Sequence, residues 1–293
     1  MIKPPPFDRL KKIGIVALAG PMASETVLAG EAYLRKLGYD VIVAPSCFEN
    51  NRYLAGNSDA DRALDLQMMF ADEEVGAILN MRGGYGSNRI LPYLTDFNFA
   101  NYPKPFIGYS DITYIHIYLN QCFGLATYHG PMINDLIKND TLTTGSFIKT
   151  ALNASPLTLR NVDFLSRTGG IVSGISIGGN LSMICSTLGT RTEIDTCDKI
   201  IFLEEINEEP YSVDRLLMQL VHAGKIEDCA GIILGDFSGA DQEEITKTII
   251  DILLPFNKTI ATGIPAGHTM PNITIPLGVY CEIDPSANEI RFL

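Results

Sequence analysis

The chain has 293 residues, of which 46% are hydrophobic and 19% charged, a balance typical of a globular protein with one large domain or two medium ones. Its formal net charge of -12 argues against a general nucleic-acid-binding surface and against docking on anionic lipid. A small anionic substrate stays compatible with that charge, because a single pocket can be basic on an acidic protein.

Cysteine spacing and hydropathy limit the class of protein further. The six cysteines include no Cys-x-x-Cys pair, so we expect free thiols and no zinc site. The N-terminal residues lack the apolar core of a signal peptide, and no stretch of about eighteen apolar residues predicts a membrane span. These patterns favour a cytoplasmic protein that binds neither nucleic acid nor membrane.

Apolar strands alternate with amphipathic helices in the first half of the chain. Such alternation predicts a parallel sheet with helices on both faces, whose ligands bind at the carboxyl ends of the strands. The predicted strands cover residues 13–18, 41–44, 75–79, 105–109 and 125–128, and the predicted helices cover 24–37 and 59–70.

The pattern weakens after residue 134 and becomes rich in Thr, Asn and Ser. We therefore predict an N-terminal domain over residues 1–140, an inter-domain linker over 141–168 with a short helix near its start, and a C-terminal domain over 169–293. Three helices and many short strands in the last part indicate a smaller α+β domain with a bent sheet or partial barrel. The fold class is α/β.

A serine follows one of the predicted strands. Gly108-Tyr109-Ser110-Asp111 lies between the apolar run 104–107 and the helix-like residues 112–119. At a sharp strand-to-helix turn a serine hydroxyl is exposed, and the N–H groups that begin the helix lie close to it. Ser110 is therefore a candidate nucleophile with half of an oxyanion hole supplied by the backbone.

A serine nucleophile needs a base, which is usually histidine. His116 and His222 fall within predicted helices, where packed or surface histidines are expected. His268 follows Gly267 in a loop after an apolar strand, and this position fits a loop histidine and a catalytic base equally well. His129 also ends a predicted strand, which makes it the second candidate for the base or a substrate contact.

An acid that orients the histidine is expected after another strand. The apolar run 200–203 ends in Glu204 and Glu205, whose side chains point to opposite faces of a strand. One carboxylate is then expected to enter a cleft while the other meets solvent. A solvated acidic loop is the alternative, because Glu208 and Glu209 follow. The chain order serine, glutamate, histidine also occurs in unrelated hydrolases.

A glycine-rich turn follows another strand, with Gly83, Gly84 and Gly86 directly after Arg82. Glycines bring the backbone close to a ligand, which predicts a second oxyanion donor. A phosphate loop is the alternative, but the turn lacks both the Gly-Lys-Ser/Thr ending and the Gly-x-Gly-x-x-Gly spacing. Arg82 or Arg89 is expected to pair with a substrate carboxylate, an ordinary surface arginine being the alternative.

Several short motifs occur together along the chain. They are Arg82-Gly83-Gly84-Tyr85-Gly86, Gly108-Tyr109-Ser110-Asp111, His129-Gly130-Pro131-Met132, Gly178-Gly179-Asn180-Leu181, Phe202-Leu203-Glu204-Glu205 with Pro210-Tyr211 and Asp214-Arg215, and Gly267-His268. In their order and spacing these motifs resemble the LD-carboxypeptidase family of serine peptidases, which includes the microcin C self-immunity peptidases. The resemblance extends over nearly the whole chain.

The resemblance implies a catalytic triad that falls here on Ser110, His268 and Glu204. It implies an oxyanion hole from the backbone N–H groups of Asp111 and of a glycine in the turn, Gly84 in particular. It also implies homodimers, and a nucleophile domain joined to a smaller C-terminal domain that supplies the glutamate and the histidine, with the active site between them. The family motif has Glu-Asp where this chain has two glutamates, but the second position is not a triad member.

The activity implied by the resemblance is hydrolysis of an L–D peptide bond, which releases the terminal D-Ala from muropeptide tetrapeptides through an acyl-enzyme. No metal and no organic cofactor are needed for it. The expected substrate-binding residues are Arg82, Gly83, Tyr85, Arg89 and His129.

Two alternatives to this activity remain open. The first is microcin-type cleavage of peptidyl- or aminoacyl-nucleotide conjugates, for which a chain without Trp would need Tyr or Phe as its aromatic clamp. The residues from Pro210 to Arg215 look more like the cell-wall-recycling branch of the family. The second alternative is a non-catalytic cell-wall-peptide binding protein, which the presence of all three triad residue types disfavours.

Overall fold

The computed structural model describes residues 1–239 and 241–293, and these form two compact units. The first unit comprises Met1–Ser155 and Ile273–Ile275, and the second comprises Pro156–Asn272 and Pro276–Leu293. Each unit contains a sheet of its own. No helix in these residues is both long enough and apolar enough to cross a membrane.

Strands and helices alternate along the first unit, as the sequence predicts. The strands are β1 (Lys12–Val16), β2 (Asp40–Val43), β3 (Asn50–Asn51), β4 (Leu54–Ala55), β5 (Val75–Asn80), β6 (Phe106–Gly108) and β7 (Thr127–His129). The helices are α1 (Ser24–Lys36), α2 (Asp59–Ala71), α3 (Thr113–Phe123), α4 (Ile133–Leu136) and α5 (Thr141–Ser146), the last continued by a π-helical segment, Phe147–Leu152.

The sheet of the first unit is parallel at its centre. β2, β1, β5, β6 and β7 lie side by side in that order, and each neighbouring pair is parallel. The apolar residues of β1 and β5 are fully buried, which requires that both faces of the sheet are covered. Parallel strands bring the carboxyl ends of β5, β6 and β7 to one edge of the sheet, so the segments that follow these strands are neighbours.

The second unit begins with strands that the sequence does not predict. Its strands are β8 (Leu157–Arg160), β9 (Asp163–Ser166), β10 (Val172–Asn180), β11 (Lys199–Ile206), β12 (Gly231–Ser238), β13 (Thr259–Thr262), β15 (Tyr280–Asp284) and β16 (Glu289–Phe292). The strand β14 (Ile275–Leu277) begins in the first unit, whose sheet includes it. The helices of the second unit are α6 (Leu181–Thr187), α7 (Pro210–His222), α8 (Lys225–Asp228) and α9 (Gln242–Leu253).

The boundary between the units differs from the predicted one. Residues 141–155 form α5 and the π-helical segment of the first unit, whereas residues 156–168 contain β8 and β9 of the second. The expected linker over 141–168 therefore carries regular structure. β8 in this segment lacks a continuous apolar run because it is an edge strand whose residues alternate between half-buried and exposed.

The eight-stranded sheet of the second unit is curled. Its order is β8-β16-β15-β10-β11-β12-β13-β9, with β10 to β13 parallel to one another. β8 and β9 occupy opposite edges, yet only Asn161 and Val162 separate them along the chain. That link spans at most about 11 Å, whereas the edges of a flat sheet of eight strands would be about 34 Å apart. The sheet must therefore curl until its edges approach, which confirms the predicted bent sheet or partial barrel.

Candidate active site

Ser110 lies in a strained turn between β6 and α3. β6 ends at Gly108, and a short 3-10 turn, Ser110–Ile112, leads directly into α3. The φ angle of Ser110 is 62°, a backbone region that residues other than glycine rarely adopt. The side chain is partly exposed. This is the sharp strand-to-helix turn that the sequence predicts, and it presents the serine hydroxyl at the edge of the sheet.

The glycine turn after β5 lies against Ser110. A Cβ atom added to Gly83 would be 3.1 Å from the Oγ atom of Ser110 and 3.6 Å from the backbone nitrogen of Asp111. A larger residue at position 83 would force the turn or Ser110 to shift by a few tenths of an ångström. The glycine turn therefore lies next to both the serine hydroxyl and the backbone nitrogen at the start of the following helix, where backbone N–H groups can stabilise a developing oxyanion.

Asp111 ties the turn at Ser110 to the glycine turn. Its buried carboxylate accepts a hydrogen bond from the backbone N–H of Ser87 at 2.8 Å, and the Ser87 hydroxyl donates to the Asp111 carbonyl. Burial raises the pKa of the Asp111 carboxyl, and the hydrogen bonds from Ser87 oppose that rise. The backbone of both turns is thus held by one reciprocal pair of residues.

A buried arginine holds the other side of the glycine turn. The Nη1 atom of Arg62, in α2, donates to the carbonyl of Leu18 at 2.6 Å and to that of Gly86 at 3.2 Å. Its Nη2 atom pairs with Asp59. Our sequence analysis missed this residue, although a signal was present: Arg62 shares the buried face of α2 with Leu66, where an arginine must have partners.

The two arginines expected to bind a substrate carboxylate have different surroundings. Arg89 forms a bidentate ion pair with Asp59, with Nε–Oδ1 and Nη2–Oδ2 distances of 3.1 and 2.8 Å. That pair lowers the pKa of the Asp59 carboxyl. Arg82 is exposed, and its Nη1 atom donates to the carbonyl of Pro21 at 3.3 Å. Arg82 is therefore the more accessible partner for a substrate.

Both histidines of the first unit are completely buried. The Nε2 atom of His116 lies 2.8 Å from the Gly108 carbonyl and its Nδ1 atom 2.9 Å from the Thr127 hydroxyl. Burial lowers the pKa of His116 to about 4, so its ring is neutral and supports the end of β6. His129 pairs with Gly108 in the sheet, and its burial disfavours direct contact with a substrate.

In the second unit His268 and Glu204 form a hydrogen-bonded pair. The Nδ1 atom of His268 lies 2.8 Å from the Oε2 atom of Glu204. The glutamate is completely buried, whereas the histidine side chain is 15% exposed. Because a carboxylate can only accept, Nδ1 carries a proton and Nε2 is left to act as a base. Burial raises the pKa of the Glu204 carboxyl, and the hydrogen bond from His268 opposes that rise.

The glycine before His268 is required by this geometry. Gly267 has a φ of 141°, and a Cβ atom there would lie 2.9 Å from Oε2 of Glu204. The loop is fixed further by two hydrogen bonds, whose acceptors Asp236 and Asn272 the sequence did not indicate. The Thr269 hydroxyl donates to the carboxylate of Asp236 at the end of β12, and the N–H of Gly267 donates to Oδ1 of Asn272 at 3.2 Å.

The expectation that one carboxylate of the glutamate pair meets solvent is wrong. Glu205 is buried, and its Oε2 atom accepts from the backbone N–H and the hydroxyl of Ser182 at 2.8 and 2.6 Å, while Oε1 accepts from Asn180 at 2.9 Å. A carboxylate at the start of α6 is stabilised by the N–H groups there. Strand alternation still holds, but β11 lies in the middle of its sheet and both of its faces are covered.

Comparison with known proteins identifies the family. The LD-carboxypeptidase N-terminal domain matches residues 13–130, and the LD-carboxypeptidase C-terminal domain matches residues 173–283. The chain belongs to the LD-carboxypeptidase family. It is accordingly a serine-type carboxypeptidase, a hydrolase that acts on peptide bonds, and its α/β fold is the one the sequence predicts.

Individual relatives cover most of the chain. A probable murein peptide carboxypeptidase of Bacillus subtilis is 35% identical over 286 residues, which are 94% of this chain and 89% of the relative. The crystal structure of a muramoyltetrapeptide carboxypeptidase from Oxalobacter formigenes is similar with a TM-score of 0.83, 26% identity and coverage of 96% and 97%. An MccF-like protein from Bacillus anthracis has a TM-score of 0.88 and 26% identity, with coverage of 100% and 99%.

Proposed function

We propose that this carboxypeptidase hydrolyses the L–D peptide bond of muropeptide tetrapeptides and releases the terminal D-Ala. The observation that carries the proposal is the position of Gly83, on which an added Cβ would be 3.1 Å from the hydroxyl of Ser110 and 3.6 Å from the backbone nitrogen of Asp111. The murein and muramoyltetrapeptide carboxypeptidases among the relatives supply the substrate class.

Ser110, His268 and Glu204 act as the triad in this proposal. Ser110 attacks the carbonyl on the L side of the bond, and the Nε2 atom of His268 takes the serine proton. The same nitrogen then gives the proton to the leaving D-amino acid, while Glu204 holds the proton on Nδ1 and stabilises the imidazolium. Water then attacks the acyl-enzyme, with His268 again as base and acid, and this second half-reaction frees Ser110.

The oxyanion of each tetrahedral intermediate is bound by the N–H groups of Asp111 and Gly84. Loss of one such donor typically costs about 100- to 1000-fold in rate. A carboxypeptidase must also bind a free terminal carboxylate, and we assign that role to Arg82 because Arg89 is engaged by Asp59.

The first unit would be the nucleophile domain, and the second would supply the glutamate and the histidine.

The test is incubation of the purified protein with a tetrapeptide-containing muropeptide, followed by mass spectrometry for the loss of one alanine. We expect Ser110→Ala to abolish the release, whereas Ser186→Ala, which changes an exposed serine of α6, should retain it. Release of D-Ala by the Ser110→Ala protein would contradict the assignment of the nucleophile.

A second candidate function is cleavage of aminoacyl-nucleotide conjugates, which the likeness to the MccF-like protein supports. Protein that is inert on muropeptides but cleaves such conjugates would select this function instead. Protein that binds cell-wall peptides and cleaves neither substrate would be the non-catalytic alternative.

We further propose that the protein acts as a homodimer in the cytoplasm, as the family resemblance implies. Light scattering after size-exclusion chromatography measures the mass in solution, and a single peak near 32 kDa, the mass of one chain, would contradict the dimer. Cell fractionation tests the location.

A further inference from the structure

Two tyrosine rings next to the glycine turn are exposed and in contact. Tyr53 is 53% exposed and Tyr85 47% exposed, their ring centroids are 5.9 Å apart, and their planes are tilted by 54°. We call them the tyrosine pair. Contacting rings are common in a core, where both are covered. Here the contact leaves apolar ring faces open to solvent, which is typical of a binding surface.

The tyrosine pair is supported by a rigid hairpin. Arg52 and Tyr53 form the two-residue turn between β3 and β4, and Arg52 has a φ of 62°. The hairpin is fixed at its base, because the N–H of Ala55 donates to the carbonyl of Ala19 at 2.9 Å. Its Leu54 side chain packs so closely on Gly86 that a Cβ atom there would clash. Tyr53 is therefore held against the glycine turn.

An exposed guanidinium group lies beside the tyrosine pair. The Cζ atom of the exposed Arg52 lies 5.4 Å from the centroid of the Tyr53 ring. Arg89 follows Tyr85 along the chain, but its charge is paired with Asp59. An exposed cation beside two aromatic rings favours a ligand that combines a ring with carbonyl oxygens.

The tyrosine pair is close to the proposed chemistry. Tyr85 directly follows Gly84, the proposed oxyanion donor, and Gly83 lies so near the Ser110 hydroxyl that an added Cβ would be 3.1 Å from it. In a muropeptide three amino acids separate the scissile carbonyl from the sugar, about 10 Å in an extended chain. Tyr85 adjoins the turn in the chain and its ring contacts that of Tyr53, so the tyrosine pair is a candidate for binding the part of the substrate beyond the scissile bond.

We propose that the tyrosine pair and Arg52 form a subsite for the N-acetylated amino sugar of a muropeptide. The inference rests on the proposed function and adds to it a preference for sugar-linked peptides. The tilt between the rings favours a sugar over a nucleobase, because a flat base needs a parallel slot, whereas a puckered ring presents C–H groups to two inclined faces. Arg52 would donate to the carbonyl oxygen of the acetamido group of the sugar.

The test compares D-Ala release from a free tetrapeptide with release from the same tetrapeptide linked to its amino sugar. We expect the wild type to have the higher kcat/KM on the sugar-linked substrate. Tyr53→Ala should lower the ratio of the two kcat/KM values by about 3- to 10-fold, mainly through KM on the sugar-linked substrate. Tyr53→Phe should keep the ratio, and so should Tyr93→Ala, which removes an exposed tyrosine from another part of the first unit.

Two results would overturn the subsite: an unchanged ratio in Tyr53→Ala, or an equal loss on both substrates in a protein that is still folded. Binding to the Ser110→Ala protein, measured by calorimetry, separates this inference from the proposed function. If the wild type cleaves neither substrate, the proposed function fails, but weaker binding of the sugar-linked peptide to Tyr53→Ala/Ser110→Ala still supports the subsite. Tyr53-dependent binding of adenosine monophosphate without binding of the sugar-linked peptide would overturn the assignment to a sugar.

Discussion

At the scale of single residues, Glu204 combines a cost in stability with a proposed role in catalysis. Burial raises the pKa of its carboxyl above the usual 4.5, so the ionised form is less favourable in the folded protein than in the unfolded one. The stability contributed by this group is thus fully present below pH 4.5 and is lost as the pH rises through the folded pKa. The proposed mechanism at neutral pH requires the ionised form of Glu204, which the fold disfavours.

Glu204→Gln should separate these two effects. The amide oxygen can still accept from Nδ1 of His268, but the buried charge is gone. We therefore expect the difference between the Tm of the variant and the Tm of the wild type to increase in favour of the variant as the pH rises from 4 to 8. Because a neutral amide does not stabilise an imidazolium, kcat should fall, by about 10,000-fold if the loss resembles that of the aspartate in a serine protease triad. Thermal unfolding across this pH range and D-Ala release measure the two quantities. A Tm difference that shrinks with rising pH would contradict the argument.

At the scale of elements, α2 holds the glycine turn through Arg62. Replacing Arg62 by Met leaves the carbonyls of Leu18 and Gly86 without this donor. Because Asp59 retains Arg89, we expect destabilisation near the lower end of the range for breaking a buried ion pair, about 3 kcal/mol. Displacement of the turn should also lower kcat by about 10-fold or more, since the turn supplies an oxyanion donor in the proposed mechanism.

The role of Arg62 is tested by measuring how much of the activity lost in Arg62→Met comes from a lower kcat and how much from a higher KM. A residue that positions the turn should affect kcat far more than KM, and Arg62→Lys should restore part of the loss. Arg160→Met is the matched control, because its exposed ion pair with Glu289 contributes about 0–1 kcal/mol to stability. A folded Arg62→Met protein with wild-type kcat would show that the turn does not depend on Arg62.

Elements were predictable where the apolar pattern is regular. The helix expected over 59–70 is α2, Asp59–Ala71, and the strand expected over 75–79 is β5, Val75–Asn80. β8 and β9 were missed because they are short and partly exposed, and their stability comes from pairing with β16 and β13, which lie far along the chain. The same reason explains Ser87 and Asp236, whose partners Asp111 and Thr269 lie far along the chain.

At the scale of the whole molecule, the division of the chain is not continuous. Residues 273–275 belong to the first unit although residues on both sides of them belong to the second. Thr274 is buried, and its N–H donates to the hydroxyl of Ser146 at 2.8 Å. No pattern in composition or hydropathy indicates that the chain re-enters the first unit at residues 273–275, because this depends on contacts between residues more than a hundred positions apart. A continuous boundary was therefore the most that the sequence could predict.

The cysteines provide a prediction for the molecule as a whole. All six are free, with Cys122 and Cys197 exposed and the other four buried. Burial raises the pKa of the buried thiols, to about 12 for Cys185 and about 11 for Cys229.

Under native conditions at pH 8 we expect a thiol-specific chromogenic reagent to react with two of the six thiols, and with the remaining four only after unfolding. Modification of the two exposed thiols should leave D-Ala release intact, because a serine is the nucleophile. The double variant Cys122→Ser/Cys197→Ser is the control: it should show no rapid reaction and unchanged activity. Loss of activity in proportion to the thiols modified in the wild type, but not in this variant, would show that an exposed cysteine is needed.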